Sequence, residues 1–395
     1  MNEASPVAGH PLAEYRDPEP FHASAPGLEL GFYPSGADRL ERLLRLIDEA
    51  EECLKLAFYI FAPDSAGSKV RDALVAAARR GVCVKLIVDG FGAEADEAFF
   101  ADLVAAGGDF CVFQPRWSRR YLIRNHQKIV TADGHTAMLG GFNIEDSYFA
   151  PPERDGWNDL AVTLCGDIVG RVDDWFDQLD AWTNSWKSQF RDIRRRVREW
   201  DSGEGPVRLL IGGPTKGLSS WAQIISRDLI YGEKLDMMMA YFSPPKRLRR
   251  RIRRIAKKGQ TRLLMAGKSD NGATIGASRL LYRSLLKSGA KIWEFLPCKL
   301  HTKLIVLDDA VYLGSANFDM RSLYLNLEIV LRVEDKALAK RMREFIAGHF
   351  EASLEITSEV HRQQGGVLNR LRWYGSWFLV SGLDYTVSRK LNLGL

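Results

Sequence analysis

The chain has 395 residues, 46% hydrophobic and 10% aromatic, which supplies two ordinary domains with buried cores and excludes a disordered or low-complexity protein. Its formal charge of +5 is modest for the length but unevenly spread, so local basic clusters say more about partners than the total does. Five cysteines, Cys53, Cys83, Cys111, Cys165 and Cys298, with no Cys-x-x-Cys pair among them, argue against a disulfide or zinc framework and for reduced, buried thiols.

Residues 1–27 carry neither the basic n-region nor the apolar h-region of a secretory signal, and their Pro, Ala, Glu and His content reads as a mobile tail. No apolar run reaches the ~18 residues of a spanning helix, so a cytoplasmic protein is expected. From Leu28 the pattern becomes regular. Leu40 to Leu54 has helical spacing, and Leu56 to Phe61 reads as a buried strand. Val70 to Arg80 is helical and stops at Gly81, Val82 to Gly90 is a strand, Glu97 to Ala106 a helix and Phe110 to Val112 with Phe113 a further strand.

The second half repeats this order: Ala240-Tyr241-Phe242 answers Phe58-Tyr59-Ile60, and Lys257-Lys258-Gly259 answers Arg79-Arg80-Gly81. Two copies of one α/β unit are therefore expected, spanning 28–200 and 201–364. Each closes with an amphipathic helix, marked by Trp175, Leu179, Trp182 and Trp186 in the first and Leu338, Met342, Phe345 and His349 in the second. The basic run Arg191 to Arg198, followed by Asp201-Ser202-Gly203-Glu204-Gly205-Pro206, reads as the linker between them.

Each half contains His-x-Lys-x-x-x-x-Asp: His126, Lys128 and Asp133, then His301, Lys303 and Asp308. In a strand, residues two apart project from one face, so each copy presents an imidazole beside an ammonium group. Brought together, two imidazoles and two lysines suit phosphoryl-group chemistry. One imidazole attacks phosphorus, the other protonates the leaving oxygen, and the lysines hold the non-bridging oxygens.

Both copies run on into Gly-Gly-x-Asn (Asn143) or Gly-Ser-x-Asn (Ser315, Asn317). This duplicated motif resembles the signature of the phospholipase D superfamily, over about Leu28 to Phe350. The resemblance implies two pseudo-symmetric α/β/α sandwich halves with the active site at their interface, and no metal or other cofactor. It makes His126 and His301 the nucleophile and general acid, with His126 as nucleophile by family habit. Lys128 and Lys303 become phosphate ligands, and Asn143, Asn317 and, on one side, Ser315 become substrate-binding. Asp133 and Asp308 count with the catalytic motif but are expected to brace its loops. Asp159 and Glu328 resemble the carboxylates that orient the histidines, fixing the tautomer and steadying a phosphohistidine. The copies differ at Gly141 against Ser315 and at Glu145 against Asp319.

Within the superfamily, Ala57-Phe58-Tyr59-Ile60-Phe61, Val88-Asp89-Gly90-Phe91-Gly92 and Gly140-Gly141-Phe142-Asn143-Ile144 resemble bacterial cardiolipin synthases of the short form without initial spanning helices. That likeness implies transfer of a phosphatidyl group between phospholipids, for example two phosphatidylglycerols giving cardiolipin and glycerol. The alternative is a hydrolase of the same superfamily, a phospholipase D or a phosphodiesterase acting on nucleic acid.

Two flanks bear on partners. Lys246 to Lys258 puts Leu248, Ile252 and Ile255 on one face and a dense cationic face opposite, suited to a solvated surface, anionic lipid or DNA. Residues 365–395 mix Trp, Tyr and Arg with aliphatics, the composition of a membrane-interface segment or of a helix packed back on the core or a second copy. Together they favour peripheral attachment to the inner face of the cell membrane over nucleic acid.

Overall fold

The computed structural model describes residues 13–114, 123–185, 190–215 and 217–383. Two eight-stranded mixed sheets carry the chain. The first runs in the order Phe21–Ala25, Leu28–Tyr33, Ala161–Gly166, Thr136–Gly140, Ile129–Ala132, Cys53–Phe58, Cys83–Asp89, Asp109–Phe113. The second repeats it as Val207–Gly212, Glu328–Glu334, Ala310–Gly314, Lys303–Leu307, Lys234–Met239, Gln260–Ala266, Lys291–Phe295, Ser353–Glu355. In each, the strand following a motif histidine lies antiparallel to a strand that pairs in parallel on its other side. These parallel pairs are joined by the crossover helices Ser65–Arg79 and Lys246–Lys258, as the helix-strand alternation of the sequence requires.

One core joins the halves. Its residues include Trp175, Leu179 and Trp182 from the helix Ile168–Thr183, Leu338, Met342 and Ile346 from the helix Lys336–Gly348, and apolar faces of both sheets. Each of these helices also touches an edge strand of the opposite half, Val207–Gly212 and Phe21–Ala25 respectively. Full burial of side chains of this size is worth about 1.5–3 kcal/mol each, so the two halves are held as one body by the same kind of contact that holds each together. Trp186 lies outside the described residues.

The structure redraws four expectations. The tail is shorter than 1–27, because Phe21–Ala25 pairs with Leu28–Tyr33 and Phe21 stacks on Phe32 at 4.7 Å. The linker is ordered: Phe190–Glu199 is a helix whose Ile193 and Val197 are buried in the joint core, since its apolar positions fall one turn apart. The helix expected from Glu97 shrinks to Ala101–Ala105. Finally, all five thiols are free but only Cys298 is buried; Cys83 and Cys165 sit at strand ends and are exposed.

The helix Val367–Trp377 packs on Gly272–Leu286, where the absence of a side chain at Gly276 admits Ser376 and where Trp373 is buried. Its other face leaves Leu368, Leu371 and Tyr374 exposed, followed by Phe378 and Leu379. No helix among the described residues is long and apolar enough to cross a membrane.

Candidate active site

The motif strands end at the seam between the halves, and short backbone clips tie them across it. His126 N–H donates to Leu327 O at 3.0 Å, and His301 N–H donates to Asn158 O at 2.7 Å. Trp157–Asn158 pairs in parallel with Lys299–Leu300, and Asn125 bridges to Leu327. The pseudo-two-fold relation thus holds to the level of single hydrogen bonds.

It crosses the carboxylates. Nδ1 of His126 lies 3.1 Å from Glu328 of the second half, and Nδ1 of His301 lies 2.7 Å from Asp159 of the first. Both carboxylates are fully buried. A carboxylate accepting from Nδ1–H leaves Nε2 with its lone pair, and both rings line one cleft of about 720 Å³. His301 sits deeper, with its side chain 5% exposed against 12% for His126. Burial lowers both imidazoles, His301 to about 3, which favours the neutral form of each ring near neutral pH. Asp159 stays ionised: burial works against it, but the His301 hydrogen bond, Lys303 and Arg39 outweigh burial.

Lys128 and Lys303 are buried behind the histidines, and each ammonium donates to the carbonyl of its own motif histidine. Burial first, then the charge of Lys303, bring Lys128 down to about 7, and burial brings Lys303 down to about 8. Each amine is therefore charged below its value and neutral above it, and a bound anion restores the charge. Sulfate, whose own charge is constant here, should bind more weakly as pH rises from about 6 to about 9. Calorimetric titration showing the same affinity across that range contradicts this reading of the lysines.

The remaining expected residues divide. Asn143 and Asn317 line the cleft; Asn143 Oδ1 accepts from Ile60 N–H at 3.1 Å, while Asn317 Oδ1 and Glu328 Oε1 are buried without a hydrogen bond partner among the described residues. Ser315 does not line the cleft: it is fully buried, donates to Glu328 Oε2 and accepts from Ile329 N–H. Gly141 takes its place in the first half because a Cβ there would meet Asp159 Oδ1 at 2.7 Å and Lys303 Nζ at 3.0 Å. Asp133 and Asp308 leave the catalytic set. Each occupies a left-handed turn at the far end of its motif strand, with φ of 54° and 51°, and accepts backbone N–H groups of residues 51–53 or 233–234.

Several site residues escaped the sequence reading. Tyr59 packs on His126 with centroids 5.2 Å apart, Tyr241 stands 6.5 Å from His301, and the Tyr148 hydroxyl lies 3.5 Å from His301 Nε2. The first two had a signal, since they answer one another in the repeat. Arg124 and Arg321 also line the cleft. Arg39 had none: fully buried, it donates to the carbonyls of Pro34, Tyr148, Trp157 and Asp159 and so holds the segment that delivers Asp159 to His301. Among the described residues, the group of side chains with metal-ligand spacing is Asp109, Cys111 and Asp180; none of them lines the cleft, and Lys85 pairs with Asp180 at 2.8 Å.

Two repeated α/β halves meeting at a paired His-Lys cleft define a protein of the phospholipase D fold. The family described as cardiolipin synthase, PLD-like domain, matches residues 43–180 and 231–349, and the chain belongs to it. Cardiolipin synthase 1 of Bacillus cereus is 30% identical over 340 residues, 82% of this chain and 66% of that protein. The major cardiolipin synthase ClsA of Bacillus subtilis is 30% identical over 347 residues, 83% of this chain and 70% of that one. The chain thus spans about two thirds of the length of these relatives. In fold it is similar to a phosphatidylserine synthase of Haemophilus influenzae, with a TM-score of 0.71, 15% identity and coverage of 93% of this chain and 96% of that one.

Proposed function

We propose that the protein is a phosphatidyltransferase of the cardiolipin synthase type, which moves a phosphatidyl group from one phosphatidylglycerol to the hydroxyl of another. The observation that carries this reading is the crossed pair of histidines: two Nε2 atoms facing one cleft, each ring oriented by a buried carboxylate of the opposite half, above two buried lysines. In the first step His126 Nε2 attacks phosphorus, the bond to the headgroup oxygen breaks, and His301, protonated in the complex, gives its proton to the departing glycerol. The anionic phosphodiester makes that protonation possible, since it offsets the lysine charges that, with burial, hold the imidazole neutral. In the second step neutral His301 takes the proton of the acceptor hydroxyl as its oxygen bonds to phosphorus and the P–N bond breaks. Glu328 steadies the positive phosphohistidine, while Lys128, Lys303, Asn143 and Asn317 hold the non-bridging oxygens.

The same steps with water as acceptor describe a phospholipase D-type hydrolase or phosphodiesterase. A lipid acceptor is favoured because Leu379 and Val380, which continue the apolar face of Val367–Trp377, form part of the cleft wall. Incubation of the purified protein with labelled phosphatidylglycerol vesicles is expected to yield cardiolipin and glycerol. Phosphatidic acid alone would make it a hydrolase, and an inert lipid would return the nucleic-acid reading.

Peripheral attachment to an anionic membrane belongs to the same proposal. The helix Val367–Trp377, with Leu368, Leu371 and Tyr374 exposed, and the cationic helix Lys246–Lys258 both pack on the helix Gly272–Leu286, so apolar insertion and charge attraction come from neighbouring elements. Replacing Leu368, Leu371 and Phe378 with Ser leaves the packed Trp373 in place and should weaken sedimentation with neutral and anionic vesicles alike. Replacing Arg249, Arg250, Arg253 and Arg254 with Gln should weaken it only for anionic vesicles, an effect that 1 M salt, with a Debye length of ~3 Å, should mimic. Unchanged sedimentation of both variants would contradict the attachment.

A further inference from the structure

The cleft holds a second pair of cations. Arg124 stands two residues before His126, and Arg321 stands four residues after Asn317 in the helix Met320–Tyr324; the two come from opposite halves and both line the cleft with His126. Arg124 is 8% exposed and lies 3.3 Å over the Phe91 ring, and Arg321 reaches Asn326 Oδ1 at 3.5 Å. Burial lowers the Arg124 guanidinium; Tyr59 and Asp89 work against that, and the charge of Arg321 adds to it. Two guanidinium groups delivered to one cleft by separate halves can both donate to one anion there.

The repeat supplies an internal control. The positions that answer Arg124 and Arg321 on the His301 side are Lys299 and Ser147. Lys299 forms an ion pair with Asp155 at 3.0 Å, Ser147 bonds to Glu145 and Trp157, and neither lines the cleft. The cation pair is thus a departure from the two-fold at one end of the site only. The histidine-lysine centre is matched on both sides, as one reacting phosphate requires; an unmatched pair is suited to a charge that arrives with only one of the two substrates.

We propose that Arg124 and Arg321 form a second anion subsite, which takes the phosphodiester of the acceptor lipid. The proposal rests on the phosphatidyltransferase reading and deepens it: phosphatidylglycerol as acceptor carries its own phosphate one glycerol away from the attacking hydroxyl, whereas water and simple alcohols carry none. The subsite therefore raises the effective concentration of an anionic acceptor over water at the phosphohistidine.

The test is a product ratio measured within one reaction. Phosphatidylglycerol in neutral detergent micelles is offered with ethanol as a competing acceptor, and cardiolipin and phosphatidylethanol are quantified together, so that changes in total rate or in the folded fraction cancel. Arg321→Gln should lower the cardiolipin to phosphatidylethanol ratio about tenfold, the factor expected for one lost charge-assisted contact. Arg321→Lys should recover part of it, and Lys299→Gln should leave the ratio at the wild-type value. A ratio unchanged in Arg321→Gln, or lowered equally by Lys299→Gln, overturns the subsite while the transferase reading stands. A wild-type protein that makes phosphatidylethanol or phosphatidic acid but no cardiolipin overturns the reading of a lipid as acceptor, and the subsite falls with it.

Discussion

Replacing either histidine with Asn is expected to abolish turnover, with losses beyond the roughly 10²–10⁴ that general acid-base catalysis alone supplies. Asn is chosen over Ala because Asp159 and Glu328 are fully buried, and an amide can still donate to them; Ala would strand a buried carboxylate and confuse stability with catalysis. The two variants should differ in what they trap. In His301→Asn the nucleophile remains but cannot hand on its adduct, so labelled phosphatidyl should accumulate on His126; in His126→Asn no adduct should form. Because P–N bonds hydrolyse in acid, the quench must be denaturing and alkaline. Label trapped only in His126→Asn would exchange the two roles, label in neither would remove the covalent mechanism, and near-wild-type turnover in either would mean that the site is elsewhere.

The second large effect follows from the crossing of the carboxylates. Glu328→Gln and Asp159→Asn should each lower turnover by about 10³–10⁴, the scale seen when the aspartate that orients a triad histidine is changed to its amide. The change keeps shape and volume but removes the negative charge that steadies the charged ring, and it offers Nδ1 an amide N–H that selects the wrong tautomer. Glu328 lies in the second half and bonds to His126 of the first, so Glu328→Gln should behave as the loss of His126 and block labelling. Asp159→Asn should behave as the loss of His301 and let label accumulate. If each carboxylate variant instead mimics the loss of the histidine in its own half, the crossed arrangement is wrong.

The sequence by itself determined the repeat and the α/β order, because the period of the apolar pattern is a local property of the chain, while the resemblance carried by the doubled motif pointed to the histidines, lysines, asparagines and carboxylates. It also marked the helices of Trp175 and Leu338 as core, and the two faces of Lys246–Lys258, whose Leu248, Ile252 and Ile255 are indeed buried. What it could not carry is which half serves which. The pairing of His126 with Glu328 spans 202 positions and that of His301 with Asp159 spans 142, and nothing in either motif distinguishes a partner in the same half from one across the seam. Ser315 read as a substrate contact through the resemblance of its Gly-Ser-x-Asn turn; only packing turned it onto Glu328. Arg39 looked like any charge on an amphipathic helix, and became the brace of Asp159 because the fold buried it among four backbone carbonyls. Periodicity sets which face of each element is buried, but the direction of a buried polar side chain is fixed by the partner that satisfies it. In this protein those partners come from both halves, so the tertiary structure alone decided them.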